Sequence, residues 1–296
     1  NVKECKGWTG CALRPLTSPC PGSTVWPPMN PMNPLPADYH THTHLCRHAG
    51  GTPIDYARAA AERGIPEIAC TDHIPFPDDP NPSIRMPRED FPSYLAMVRE
   101  AQNAGFCRVL LGIEADYQRD LVGGHIQSVL DLADFDIVLG SLHTGPFWDL
   151  APGDPAATPE FVEQMNRTYY RRMAELARTR LYDVCAHFDI VKRAGIHAPE
   201  PLLAEIVPPA LDAVAEAGMA IEINTSGRDH GAAEPYPSAF ILSLMRERDI
   251  PITFGSDAHD PAQIGRHFET AIVLARAAGY TQRAQFRRRQ ITLVPF

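Results

Sequence analysis

Residues 251–259 read PITFGSDAH. An apolar run from Ile252 to Phe254 stops at Gly255, and Asp257 and His259 follow at once. A continuous apolar run this short suits a parallel strand buried on both faces. Its end carries two side chains that bind divalent metals. In α/β barrels the C-terminal ends of the strands build the active site, so this segment predicts both a fold and the place where its chemistry sits.

The same pattern recurs upstream. EIAC (67–70), RVLLGIE (108–114), FDIVLGSLH (135–143), YDVCAH (182–187) and MAIEIN (219–224) are short apolar runs of the same type. Together with DYHTH (38–42) they predict seven strands, ending near His40, Thr71, Glu114, His143, His187, Asn224 and Asp257. Helical patterns lie between them, over 53–63, 92–104, 159–179, 202–217, 238–248 and 262–278. Gly64 stops the first, while Thr158 caps and Pro159 opens the third. Alternating strands and helices mean an α/β fold with a parallel sheet. Seven units over residues 37–296 predict a distorted (β/α)7 TIM-like barrel as a single domain.

Residues 1–36 differ. They hold eight of the 29 prolines together with Cys5, Cys11 and Cys20, and are expected to form a disordered tail. The chain begins with Asn rather than Met. The segment reads either as a native extension or, the favoured reading, as translated sequence upstream of a start at Met29 or Met32.

The chain has 296 residues, 44% of them hydrophobic, with 27 Lys and Arg against 36 Asp and Glu, a net charge of −9. This balance disfavours binding of polymeric nucleic acid or an anionic membrane through bulk charge. No apolar run approaches the ~18 residues of a membrane span. Seven cysteines at irregular spacing, with no CxxC pair, argue against a disulfide framework and for a reducing cytoplasm. Oligomeric state is left open.

Twelve histidines are present, and their placement is not random. His40 and His42 lie two apart on one strand and share a face. His73 follows the second strand, Glu114 ends the third, His143 the fourth and His187 the fifth; Asp257 and His259 end the seventh, and His48 follows the first. Six of seven strands thus finish in a metal-binding residue. Nine such residues exceed the needs of one ion and suit two or three. Imidazole and carboxylate without thiolate favour Zn²⁺, Mn²⁺ or Fe²⁺. Cys46 and Cys70 read as small core or supporting residues.

Taken in order, DYHTHTHLCRHAGG, ACTDHIPFP, LLGIEADY, LGSLH, CAHFDIVKR, IEINTSGR and FGSDAHDPAQIGRHFETA resemble the histidinol-phosphatase branch of the PHP (polymerase and histidinol phosphatase) superfamily. The resemblance runs from about residue 37 to the C-terminus. It implies a three-metal site in which His40, His42, Glu114 and Asp257 hold one ion, His48, His73 and His259 a second, and Glu114, His143 and His187 a third. It also implies hydrolysis of L-histidinol phosphate in histidine biosynthesis, with Glu114 bridging. Asp257 is a candidate proton shuttle for that hydrolysis. Lys192 stands where the family often has arginine.

For the substrate phosphate, Arg228, Lys192, Arg193 and Arg85 are the expected contacts, since cations gathered at one rim of an acidic protein form a local anion clamp. Glu222 is expected to meet the substrate ammonium group. Trp148 and Tyr117 are expected pocket walls. Three other readings remain at this stage. A PHP phosphoesterase could act on nucleotides or other small esters. An amidohydrolase shares the HxH strand but commonly needs a bridging lysine where this chain has Glu114. A non-catalytic metal-binding scaffold is disfavoured by the intact ligand set.

Overall fold

A computed structural model describes residues 35–76 and 84–296. The segment expected to be a disordered tail lies almost wholly outside the described residues. Six parallel strands form one sheet in sequence order: β1 (Glu67–Cys70), β2 (Arg108–Asp116), β3 (Ile137–Ser141), β4 (Val184–Cys185), β5 (Ala220–Asn224) and β6 (Ile252–Gly255). All but two of their residues, Arg108 and Leu111, are buried, as parallel strands under helices require.

The expected first strand is not a regular ladder, yet it occupies the expected place. On one side Asp38 N donates to Glu67 O at 3.0 Å and Thr71 N to Thr41 O at 2.9 Å. On the other side Tyr39 N donates to Phe254 O at 3.0 Å and His42 N to Ala258 O at 2.9 Å. Residues 38–42 therefore lie between β6 and β1 and close the curled sheet. The result is the distorted (β/α)7 TIM-like barrel.

The helices are α1 (Pro53–Glu62), α2 (Phe91–Ala104), α3 (Gln127–Leu130), α4 (Pro159–Arg178), α5 (Glu200–Ile206), α6 (Pro208–Ala217), α7 (Ala239–Arg246) and α8 (Phe268–Ala277). Thr158 caps α4 as expected, its Oγ1 accepting from Phe161 N at 3.3 Å. Two expectations need correction. The helix predicted over 202–217 is two helices, α5 and α6, meeting at Val207 where Pro208 and Pro209 enter the chain; proline removes a helical N–H and crowds the preceding turn. The helix predicted from 262 starts only at Phe268, because Gly265 (φ 61°) and His267 (φ 58°) adopt the left-handed backbone.

A C-terminal hairpin, β7 (Gln282–Arg287) and β8 (Gln290–Pro295), was not anticipated. Its turn residues Arg288 and Arg289 both have positive φ, 45° and 65°, as a two-residue hairpin turn demands. The hairpin sits across the N-terminal end of the barrel. Arg287 pairs with Glu67 at the start of β1. Arg289 Nε reaches Asp183 Oδ2 at 3.0 Å, just before β4, and Arg288 N donates to Asp136 Oδ1 at 3.1 Å, just before β3. Phe286 and Ala284 enter the barrel interior beside Tyr39, Leu110, Ile137, Leu139 and Val184. Among the described residues no helix is long and apolar enough to cross a membrane.

Candidate metal centre

Glu114 is the middle of the site. It is fully buried near the end of β2, and its two oxygens face different histidines. Oε2 lies 3.0 Å from His73 Nδ1 and 3.4 Å from both His40 Nε2 and His42 Nε2. Oε1 lies 3.1 Å from His187 Nε2 and 3.4 Å from His143 Nε2. Asp257 Oδ1 completes one side, 3.3 Å from His42 Nε2 and 3.6 Å from His40 Nε2. His48 Nε2 and His259 Nε2 face each other at 2.8 Å, with the His42 ring stacked on His259. All nine residues singled out from the sequence thus gather at the C-terminal rim.

The local backbone serves this convergence. His187 (φ 28°) and Asp257 (φ 52°) follow their strands in the left-handed region, which costs a non-glycine residue energy. Gly255 ends β6 where a side chain has no room: a Cβ there would stand 1.7 Å from Glu222 Oε1.

Four of the outer ring nitrogens are held by acceptors. Nδ1 of His40 meets Glu222 Oε1 at 2.8 Å, and Nδ1 of His143 meets Asp116 Oδ1. Nδ1 of His48 meets Cys46 O at 2.7 Å, and Nδ1 of His259 meets Asp257 O at 3.0 Å. Those acceptors draw the ring proton to Nδ1 and leave a lone pair on the inward Nε2.

Divalent metal ions fit this donor set. His40 Nε2 and His42 Nε2 stand 3.0 Å apart, and His143 Nε2 and His187 Nε2 3.2 Å. Lone pairs at these separations repel unless a proton or a cation lies between them. Glu114 Oε2 and His73 Nδ1 are buried without a hydrogen-bond partner among the described residues, although they are within reach of each other. Each would otherwise carry a desolvation cost.

The electrostatics point the same way. Burial pushes the Glu114 carboxyl up, but the His73, His143 and His40 imidazoles outweigh it and hold the group well below the carboxylate range. Asp257 is likewise held down, against its burial, chiefly by His40. Burial favours neutral imidazole at His40, yet Glu222, Asp257 and Glu114 raise it well above the usual value. His42 is pushed well down by burial and then by His259 and His73, and burial brings His73 to about 4. Buried carboxylates here demand positive charge at the centre of the cluster.

The site opens into a cleft of about 810 Å³ whose outer wall includes Trp148, Ile190, Arg193, His230, Gln263 and Arg266. The Arg193 guanidinium lies over the Trp148 ring at 4.9 Å, and no carboxylate of the described residues is within ion-pair distance of it. The other expected substrate contacts are placed differently. Lys192 is buried, its Nζ 2.8 Å from both Asp189 Oδ2 and Glu234 Oε1 and donating to Pro235 O at 3.1 Å. Arg85 is buried, paired with Asp116 and lying over the Phe76 ring. Arg228 is exposed and outside the cleft wall. Glu222 is buried with both oxygens engaged, Oε1 by His40 and Oε2 by His187 N at 2.9 Å and Asn224 Nδ2 at 3.0 Å. It braces the centre instead of facing a substrate ammonium. Trp148 walls the cleft as expected, whereas Tyr117 is buried and donates to Glu175 Oε2 at 3.2 Å.

Comparison with known proteins places this arrangement. The PHP domain model matches residues 38–226, and the PHP-associated model residues 240–272. The chain belongs to the PHP family. It is 37% identical over 248 residues to a probable histidinol-phosphatase of Deinococcus radiodurans, covering 82% of this chain and 93% of that protein. It is 26% identical to the histidinol-phosphatase of Bacillus subtilis, over 78% of this chain and 96% of the relative. The histidinol phosphate phosphatase of Lactococcus lactis, solved with zinc, L-histidinol and phosphate, superimposes with a TM-score of 0.74 at 23% identity, over 87% of this chain and 98% of that one.

Within this PHP site, sequence reading missed the residues that hold the histidines in place. Asp116 carries His143 on one oxygen and Arg85 on the other. Asp38 accepts from Ser256 N at 2.9 Å and Gly265 N at 2.8 Å, tying the first strand to the last. Arg266 braces the Asp257 loop through Ser256 O at 3.0 Å and Asp257 O at 3.1 Å. Asp38 and Asp116 each lie two residues from an expected ligand on the same strand, and that period was the available signal.

Proposed function

We propose that this chain is a metal-dependent phosphomonoesterase that hydrolyses L-histidinol phosphate to L-histidinol and phosphate. The observation that carries the reading is the division of Glu114: one oxygen faces His40, His42 and His73, the other His143 and His187. A carboxylate so placed serves two ions at once. The relatives named histidinol-phosphatase, one at 37% identity across most of both chains, support the substrate.

Two or three divalent ions, zinc, manganese or iron, are assigned to the nine residues. His40, His42, Glu114 and Asp257 would hold one; His48, His73 and His259 a second; Glu114, His143 and His187 a third. Bound ions supply positive charge that polarises a phosphate ester and acidifies water. The chain's own residues do the rest. Arg193, at the cleft wall and without a carboxylate partner among the described residues, can take phosphate oxygens through its planar guanidinium. Asp257 is ionised and lines the cleft, and its Oδ2 is held by Ser226 Oγ at 3.2 Å and Asn224 Nδ2 at 3.4 Å. It can accept a proton from the attacking water and return one to the leaving alkoxide. Among the described residues Cys46, Cys70, Cys107 and Cys185 are free thiols, which suits a cytoplasmic enzyme.

A kinetic screen with metal-loaded protein tests the reading. L-Histidinol phosphate should surpass a nucleoside monophosphate and an amide substrate in kcat/KM. A nucleotide turned over faster would move the assignment to another phosphoesterase, and amide cleavage alone would move it out of phosphoryl chemistry.

A further inference from the structure

What the outer nitrogen of an imidazole meets decides which tautomer the ring adopts. For His42 that partner is a thiol. Cys46 is fully buried, and its Sγ donates to Asp72 Oδ1 at 3.1 Å. Asp72 also accepts from Thr43 N and Thr43 Oγ1, both at 2.5 Å, so its orientation is fixed by the chain that carries the cysteine. With its proton given to a carboxylate, the sulfur is left as an acceptor. Two N–H groups reach it: His73 N at 3.3 Å and His42 Nδ1 at 3.4 Å. His42 therefore carries its proton on Nδ1 and its lone pair on Nε2, the nitrogen that faces Asp257 and Glu114. The carbonyl of the same residue holds His48 Nδ1.

We propose that Cys46 is a positioning residue of the metal centre: its thiol, oriented by Asp72, fixes the ligand tautomer of His42, and its carbonyl does the same for His48. This rests on the metal reading given above. Cys46 holds no metal ion in this scheme, because its sulfur is occupied on the far side of the His42 ring. A thiol suits the place. Its long C–S bond and large radius let one atom meet three polar partners at 3.1 to 3.4 Å. A serine keeps the donor and acceptor on a shorter arm, whereas an alanine keeps neither.

The test is zinc affinity, read by competition with a chromophoric chelator on metal-stripped full-length protein. Wild type, Cys46→Ser and Cys46→Ala are titrated side by side. Removing a partner that orients a metal-bound histidine costs roughly 10- to 100-fold in affinity, and this loss is expected for alanine. Serine should retain most of the wild-type affinity, although both variants open a similar gap in the packing. Should the alanine variant fail to fold, Cys46→Val, which fills the space without a hydrogen-bonding group, takes its place and should show the same loss. Equal affinity in wild type and alanine overturns the positioning role. So does an equal loss in serine and alanine, since packing alone would then account for it. A wild-type chain that takes up no zinc overturns the metal reading and this proposal with it.

Discussion

The two ends of the barrel use the same strands but treat carboxylates in opposite ways. At the N-terminal end, Glu67 and Asp183 are matched to Arg287 and Arg289 of the hairpin, over an interior filled by Tyr39, Leu110, Ile137 and Phe286. Both carboxylates there have a guanidinium partner, and the hairpin covers that end. At the C-terminal end, Glu114 and Asp257 face imidazole nitrogens whose protons are drawn away by Glu222, Asp116 and backbone carbonyls. A carboxylate at a strand's start is matched by arginine here, whereas those at a strand's end face imidazoles, as the proposed metal centre requires.

The sharpest way to break the contrast is at the rim. Glu114→Ala removes the group that faces both histidine sets, and should lower kcat by ~10³-fold or more, the upper end of what loss of one electrostatic group costs a site. Metal content measured by elemental analysis should fall with it. Retention of most metal and turnover would remove the bridging role.

Next comes the sealed end. Phe286→Ala should cost roughly 3–5 kcal/mol of unfolding free energy, as for large aromatic truncations in a core. Its kcat/KM, measured well below the melting transition, should match wild type. A change in kinetics without a change in stability would mean that the plug acts on the site.

The smallest effect separates two arginines. Charge-assisted hydrogen bonds are worth about 1.5–3 kcal/mol, so Arg193→Ala should lower kcat/KM on the order of 10- to 150-fold. Arg228→Ala, an exposed side chain outside the cleft wall, should leave it unchanged. The reverse ranking would place the phosphate clamp on the Thr225–Asp229 turn.

This last pair shows where sequence reading stops. The strand ends were legible because apolar run, glycine and ligand recur with one spacing, and strand geometry then sends those side chains to one rim. His40, His42, Glu114 and Asp257 follow from that rule. The substrate side sits on loops, where proximity along the chain does not fix direction. Lys192 and Arg193 are neighbours, yet one turns inward to Asp189 and Glu234 and the other outward to Trp148 and the cleft. Glu222 looked like a substrate contact because the sixth predicted strand, observed as β5, lacks a ligand, but Gly255 makes room for it to reach His40 instead. The hairpin was missed because QRAQFR and QITLVP alternate polar and apolar residues weakly and carry arginines at the turn. Their burial depends on carboxylates distant in sequence.

The most direct test of the rim as a metal-dependent phosphatase is phosphate release from L-histidinol phosphate by chelator-stripped protein, before and after zinc, manganese or iron is returned. Turnover should be lost on stripping and restored by at least one of these ions, with two to three equivalents bound. Full turnover from protein holding less than one equivalent of metal would contradict the account.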